Sequence, residues 1–209
     1  MTPSLRWLAL AGSLGVVSAC SILPQSEPVD IYRLPVEQTT RSATLVQWSL
    51  RLNKPLASET LAGPRIAVIP QGNVLSSYKG ARWSDPVPLL VRNRLLDGFQ
   101  RDGRVQRLSA DDSNLQADYE LTGELQGFQS EYQPDGKVAV VIRYDARLVQ
   151  GRSQRILDSQ RFEVRQPLAD TQVSAVVTGF GAAADRLSAQ VVDWTVAHGN
   201  QAQTQAKNQ

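Results

Sequence analysis

Cys20 is the single thiol of the chain, and it closes the run Val17-Ser18-Ala19-Cys20. A thiolate is a strong nucleophile, and small residues just before it leave room for a processing enzyme. Upstream stand Arg6 and an uncharged apolar stretch from Trp7 to Val17. A basic start, a short apolar run and small residues at a cut make up a secretory signal. The run is shorter than the roughly 20 residues a permanent membrane helix needs. Other residues offer less chemistry. His198 is the single histidine, so a triad or a zinc site would have to be built around it without help from a second Cys. Asp111-Asp112 lacks the oxygen array of a calcium loop and reads as a solvated loop or a helix cap. Glu120 and Glu124 fall on one face of a strand pattern and read as exposed. Gly179 and Gly181 have no phosphate-loop context. No catalytic group and no metal site is expected.

The segment around Cys20 resembles a bacterial lipoprotein signal. The resemblance implies that a diacylglycerol is attached to the thiol, that residues 1–19 are removed, and that the new amino group of Cys20 is acylated. These covalent lipids would be the only non-protein groups. The alternative is an ordinary secretory signal with a chance cysteine; an uncleaved inner-membrane helix stands behind both. Ser21, by analogy with enteric bacteria, favours transfer to the outer membrane. An acylated Cys20 leaves no thiol for a disulfide, so packing alone must hold the protein together.

The chain has 209 residues with a formal net charge of +2, which falls by one when Arg6 leaves. There is no block of like charge that would call for nucleic acid or an anionic surface. Hydrophobic residues make up 42%, enough for one ordinary core. Residues 20–29 read as a lipidated start and tether, 30–199 as a single domain, and the Gln-rich segment 200–209 as a disordered polar tail.

Within the domain, Asp30–Leu34 reads as a short strand, and 37–43 as a polar loop. Val46, Trp48, Leu50 and Leu52 alternate as the buried side of a second strand. Arg65–Ile69 is a third, bounded by Pro64 and Pro70. Gln71 to Trp83 reads as a loop. A helix follows, with Ser84 or Asp85 as its cap, Pro86 at its first position and Gly103 as its stop. Val87, Leu90, Val91, Leu95 and Phe99 are its apolar stripe, with Arg92, Arg94 and Arg101 turned away or snorkelling. Val105–Leu108 is short. Tyr119–Phe128, Lys137–Gln150 and Arg155–Arg165 read as an antiparallel meander, with Gly123 and Gly127 marking a bulge or close packing. A last helix is capped by Asp170 or Thr171. It carries Val173, Val176, Val177, Phe180, Ala184, Leu187, Val191 and Trp194 at helical spacing and ends at Gly199, with His198 at its terminus. Gly179 and Gly181 within it point to close packing or a kink. Trp48 and Trp194 lie on apolar faces. The expected fold is α+β: a largely antiparallel sheet with two amphipathic helices packed on it.

The stretch Tyr78-Lys-Gly-Ala-Arg82-Trp83-Ser-Asp85-Pro86, with the signal, the early Tyr32-Arg-Leu34 strand and the late helix holding Trp194, resembles the ABC-type transport auxiliary lipoprotein family. That family includes the paraquat-inducible protein C type of lipoprotein. The resemblance covers nearly the whole mature chain. It implies a non-enzymatic accessory of a lipid transporter, held at the outer membrane facing the periplasm. There it would receive a mammalian-cell-entry (MCE) protein whose permease and ATPase sit in the inner membrane. It leaves room for assembly into a ring of identical subunits. Tyr78, Lys79, Arg82 and Trp83 are the candidate partner-binding residues, since they combine amphipathic rings with cations. The competing reading has Trp83 plugging the core and Asp85 capping the helix. Two other functions stay open: a lipid carrier with its own apolar pocket, and an envelope assembly factor unrelated to lipid. A hydrolase ranks below both, for want of a nucleophile and base pair.

Overall fold

The computed structural model describes residues 28–36, 44–113 and 115–207. Cys20, most of the tether and the segment 37–43 lie outside them. The described residues form nine strands and three helices. In chain order these are β1 Asp30–Tyr32, β2 Ser49–Leu52, β3 Leu56–Ala57, α1 Glu59–Ala62, β4 Arg65–Gln71, β5 Val74–Trp83, α2 Val87–Asp102, β6 Arg107–Ala110, β7 Tyr119–Tyr132, β8 Val138–Gln150, β9 Ile156–Leu168 and α3 Val173–Lys207.

β7 organises the sheet. One edge pairs with β8 along its whole length, antiparallel, and β8 pairs in turn with β9. The other edge receives β2, β3 and β4 one after another, all parallel to β7. These three act as one interrupted strand, with Asn53–Pro55 and α1 as excursions. β6 extends the sheet beyond β2; β5 lies beyond β4, and β1 beyond β5. The nine strands curl into a half-barrel. The expected α+β class holds. The long pairings are antiparallel, and the parallel ones are the short pairings made by β1, β2, β3, β4 and β6.

The meander follows its alternation. Val138, Val140, Ile142, Tyr144, Ala146 and Leu148 are all buried beneath the helices. The register shift between Leu125 and Gly127 is the bulge that the glycines suggest. α2 buries Val87, Leu90, Val91, Leu95 and Phe99, and ends at Gly103 in the left-handed conformation. Gly179 lies against the sheet so closely that a Cβ there would stand 2.3 Å from Leu168 Cδ2.

Several features depart from the sequence reading. Gln71–Trp83 is mostly strand rather than loop. β4 and β5 form a hairpin turned at Gly72, with Gly80 also at positive φ where the register shifts. Ser84 and Asp85 do not cap α2: the Ser84 hydroxyl donates to Asp85 Oδ2. Pro86 precedes the first turn rather than occupying it, and the Val87 N–H is satisfied by the Gly63 carbonyl at 3.3 Å. Arg92 and Arg94 are buried, not turned outward.

α3 does not stop at Gly199; it runs to Lys207. The segment expected to be a disordered tail is helical over 200–207. Two contacts explain this. Gly199 leaves space for an indole, since a Cβ there would stand 2.5 Å from Trp48 Cζ2. Trp48 Nε1 then donates to Asn200 Oδ1 at 3.0 Å. The following Ala, Gln and Lys residues are good helix formers, so a helix carried past the glycine continues. His198 is therefore inside the helix. Its Nδ1 lies 2.8 Å from the Trp194 carbonyl and its Nε2 3.0 Å from Asp158.

The acidic residues are also more engaged than expected. Asp111 and Asp112 hold Arg92 at 2.5 and 3.0 Å, and Asp111 also accepts the Lys54 N–H at 2.9 Å. Glu120 is buried and accepts from Arg51, Asn53 and Gln154, the last reaching back from the β8–β9 turn. Glu131 accepts from Gln129, Arg143 and Arg165. Burial alone would push the Glu131 carboxyl up. The Gln129 hydrogen bond and the charges of Arg143 and Arg165 outweigh it and hold the group below the usual range.

Two outcomes follow. Asn200→Ala will lower unfolding stability by about 1 kcal/mol, the usual worth of one lost hydrogen bond, measured from the urea midpoint; an unordered tail would give no change. A carboxylate with a lowered native pKa contributes stability above its unfolded value, and that stability is lost as the pH falls through its native value. Glu131→Gln will therefore be less stable than wild type at pH 7. It will also show a shallower decline of the urea midpoint as acid is added below about pH 4.3, the ordinary Glu value. Parallel curves would contradict the assigned role.

Candidate docking site on the fifth strand

Of the four candidate residues on β5, Lys79 and Arg82 are exposed, Tyr78 is half-buried against the core and Trp83 is buried. Trp83 is fully buried. Its ring meets Phe180 edge-on at 5.2 Å and Phe128 at 6.0 Å, and those two rings stack at 4.7 Å. The three side chains come from β5, α3 and β7. The assignment of Trp83 to partner binding is thus corrected: it anchors the strand that carries the others. The backbone adds two locks, with the Trp83 N–H donating to the Pro64 carbonyl and the Ser84 N–H to the Tyr32 carbonyl, both at 2.8 Å.

Tyr78 is half-buried, with its hydroxyl 3.0 Å from Ser130 Oγ. It stands beside Tyr132, and burial is the main cause of its raised pKa. Lys79 and Arg82 are exposed. Arg82 lies opposite Arg65 of β4 on one side and Ile31 of β1 on the other, and Arg65 is exposed as well. Among the described residues these three cations have no ion-pair partner. β1 covers β5 only over Ala81–Trp83. From Val74 to Gly80 the outer edge of β5 has no neighbouring strand among the described residues. Unpaired backbone groups and unpaired cations on a rigid edge suit an incoming acidic segment, by strand addition or by side-chain contact.

A residue not singled out by the sequence reading sets this edge. Arg94 of α2 donates to the Leu34 carbonyl at 3.0 Å, and also to the Pro35 carbonyl and to Asp185 of α3. It ties the chain after β1 to both helices, and Pro35 fills the space left by Gly181. The signal was in the spacing. Residue 94 falls on the α2 stripe, one helical step from Val91 and two turns from Val87, so a charge there must be buried and needs partners.

Three clefts bear on the carrier reading. One of about 190 Å³ lies between α2 and α3, lined by Gly98, Ser188 and Val192 together with Asp102, Asp185 and Asp193. A second, of about 370 Å³, is bordered by Arg33, Asp85, Arg94 and Asp97. A third, of about 270 Å³, has Asp158 and His198 on its wall. Pockets for apolar ligands are mostly apolar; the cleft between α2 and α3 has a mainly apolar surface with Arg101, Asp102, Asp185 and Asp193 around it, whereas the second is evenly divided and the third mainly polar. Among the described residues no group of three or more His, Cys, Asp and Glu is placed to hold a metal ion, and no helix is long and apolar enough to cross a membrane.

Comparison with known proteins gives a consistent picture. The family described as ABC-type transport auxiliary lipoprotein component matches residues 32–192. An uncharacterized protein of Bradyrhizobium diazoefficiens, bll6063, is 30% identical over 155 residues. That match takes in 74% of this chain but 41% of the relative's length, so the chain corresponds to less than half of that protein. The crystal structure of protein XCC0632 from Xanthomonas campestris superposes with a TM-score of 0.78 at 28% identity, covering 84% of this chain and 99% of that one. A second crystal structure, of an uncharacterized protein, shares the fold with a TM-score of 0.62 at 18% identity over 80% of this chain and 98% of that one. With the family pattern running from β1 into α3, this chain belongs to the ABC-type transport auxiliary lipoprotein component family.

Proposed function

We propose that the protein is a lipid-anchored, non-enzymatic accessory of an ABC-type lipid transporter, held at the periplasmic face of the outer membrane and receiving the transporter's MCE protein on β5. The observation that carries this reading is a pair of exposed cations, Lys79 and Arg82, without an ion-pair partner among the described residues, on a strand locked to the core by Trp83, in a chain of this transport family. Its role is mechanical. Acyl chains on Cys20 hold the body at the membrane, since two or more chains anchor stably where one does not. The half-barrel keeps β5 in place, and the energy for transport comes from the ATPase of the partner complex. The cargo would be a phospholipid or a related hydrophobic molecule passing alongside the domain. Two of the three clefts are too polar for an apolar ligand, and the mainly apolar one between α2 and α3, about 190 Å³, is smaller than the roughly 300–1,000 Å³ of a usual ligand pocket, which disfavours the carrier alternative.

Two measurements test the reading. In the first, the double charge reversal Lys79→Glu and Arg82→Glu will lose most capture of the MCE protein when the lipidated chain is crosslinked and pulled from the envelope. Its melting temperature will stay within a degree or two of wild type, because exposed charges contribute little to stability. Undiminished capture, or recovery of barrel-assembly proteins alone, would overturn the docking assignment. In the second, Cys20→Ser will leave the fold intact and move the protein to the soluble fraction. Retention on membranes after a high-salt wash would show that the lipid is not the anchor.

A further inference from the structure

We infer that Arg65 and Arg82 together form a clamp for one carboxylate of an acidic partner segment, with Ile31 beside them taking an apolar side chain of the same segment. The inference deepens the docking proposed on β5 and rests on that reading; it adds β4 and β1 to the contact. Arg65 and Arg82 are paired in register across the β4–β5 ladder, so both side chains leave the same face of the sheet. The Trp83 N–H donates to the Pro64 carbonyl at 2.8 Å, one residue outside the pair on each strand. The pair itself is thus of the non-hydrogen-bonded kind, in which Cα atoms stand about 4.5 Å apart and side chains lie closest. Like charges set directly opposite are destabilising. The sheet shows how such a conflict is met elsewhere. Glu124 also faces a like charge, Asp145, and there Arg161 supplies the counter-charge at 2.6 Å. Arg65 and Arg82 are exposed, and among the described residues neither has an ion-pair partner. The missing counter-charge is an anion from outside the chain.

The surroundings point to a protein as its carrier. Ile31 of β1 stands opposite Arg82 on its other side and is 58% exposed. Its neighbours Asp30 and Tyr32 pair with Ala81 and Trp83 and alternate to the other face. The row Ile31, Arg82, Arg65 therefore crosses three adjacent strands on one face, over about 10 Å at roughly 4.8 Å per strand. Lys79, exposed on the same strand as Arg82, adds a cation to one side. A guanidinium fork takes both oxygens of a carboxylate, and two opposed forks hold one such group between them. An apolar contact beside arginine anchors is the anatomy of a protein interface. A lipid surface attracts cations one by one, without regard to how they are opposed.

The test places the counter-charge in the chain itself. In Arg65→Glu the introduced carboxylate faces Arg82 and fills the clamp from within. An opposite-charge pair strengthens the ladder where a like-charge pair weakened it, so the melting temperature at low salt is expected to rise by about 1–3 °C. Crosslinked capture of the MCE protein by the lipidated chain is expected to fall about tenfold or more. Arg65→Lys, which keeps the charge without the fork, and Ile31→Ser are each expected to lose capture several-fold. Full capture by Arg65→Lys would reduce the pair to a diffuse positive field and overturn the clamp. Undiminished capture by Arg65→Glu, beside a Lys79→Glu and Arg82→Glu chain that has lost it, would overturn the clamp and leave docking on β5 standing. Undiminished capture by both chains would overturn the clamp and the docking reading together. A melting temperature that does not rise in Arg65→Glu would show that the two arginines are not opposed and unpaired, and would overturn the clamp as well. Flotation of Cys20→Ser protein with phosphatidylglycerol vesicles, lost on adding Arg65→Glu, would assign the pair to lipid headgroups and overturn it too.

Discussion

The packing of Trp83 against Phe128 and Phe180 is the contact on which the rest of the molecule depends. It joins three elements far apart in the chain: an outer strand, the central strand of the sheet and the long final helix. Aromatic pairs in edge-on and offset geometry add about 0.5–1.5 kcal/mol each beyond the area they bury. More important here is where they act. A two-stranded hairpin is marginal in water, and among the described residues β5 has a neighbour on its outer side only at its last three residues. Without the indole in the core, the strand bearing Lys79 and Arg82 would have little beyond its β4 ladder to hold it. With the indole in place, an exposed edge becomes a rigid one.

The helices extend the same constraint. α3 lies on β8 and β9 through small residues, with Gly179 admitting Leu168 and Gly199 admitting Trp48. Each glycine weakens an isolated helix by about 1 kcal/mol relative to Ala, and the close approach it permits offsets that loss. Arg94 completes the arrangement by holding the carbonyls that follow β1 against both helices. The start of the folded domain is therefore fixed relative to β5.

Much of this was legible in the sequence, and the exceptions have physical causes. The α2 stripe is legible because the helix buries one side more than the other, and β8 because Tyr144, Ala146 and Leu148 alternate with Arg143, Asp145 and Arg147, although no residue of β8 is exposed. β5 was read as a loop because an edge strand that is half-open on both faces shows no alternation; its serines, glycines and exposed Val74 and Leu75 look like a connection. α3 overran Gly199 because a tertiary contact with Trp48 overrode a local stop signal. Glu120 and the Asp111–Asp112 pair looked solvated because their partners, Arg51 and Arg92, lie far away in sequence. Within the candidate site Lys79 and Arg82 are exposed, as residues of a contact surface must be, whereas Trp83 supports the strand from beneath. Cys20 was the clearest functional signal in the chain, and it lies outside the described residues.

The account joins a covalent anchor, a fixed body and an open edge strand into one mechanical part of a transport assembly. Amide hydrogen exchange on the lipidated protein in vesicles, with and without the MCE protein, tests that union most directly, because the outward N–H groups of an unpaired edge exchange readily until something covers them. The account predicts that the partner slows exchange in Val74–Arg82 and leaves the outer edge of β9 unchanged. Slowing confined to β9 or to the far end of α3, with β5 exchanging as before, would contradict it.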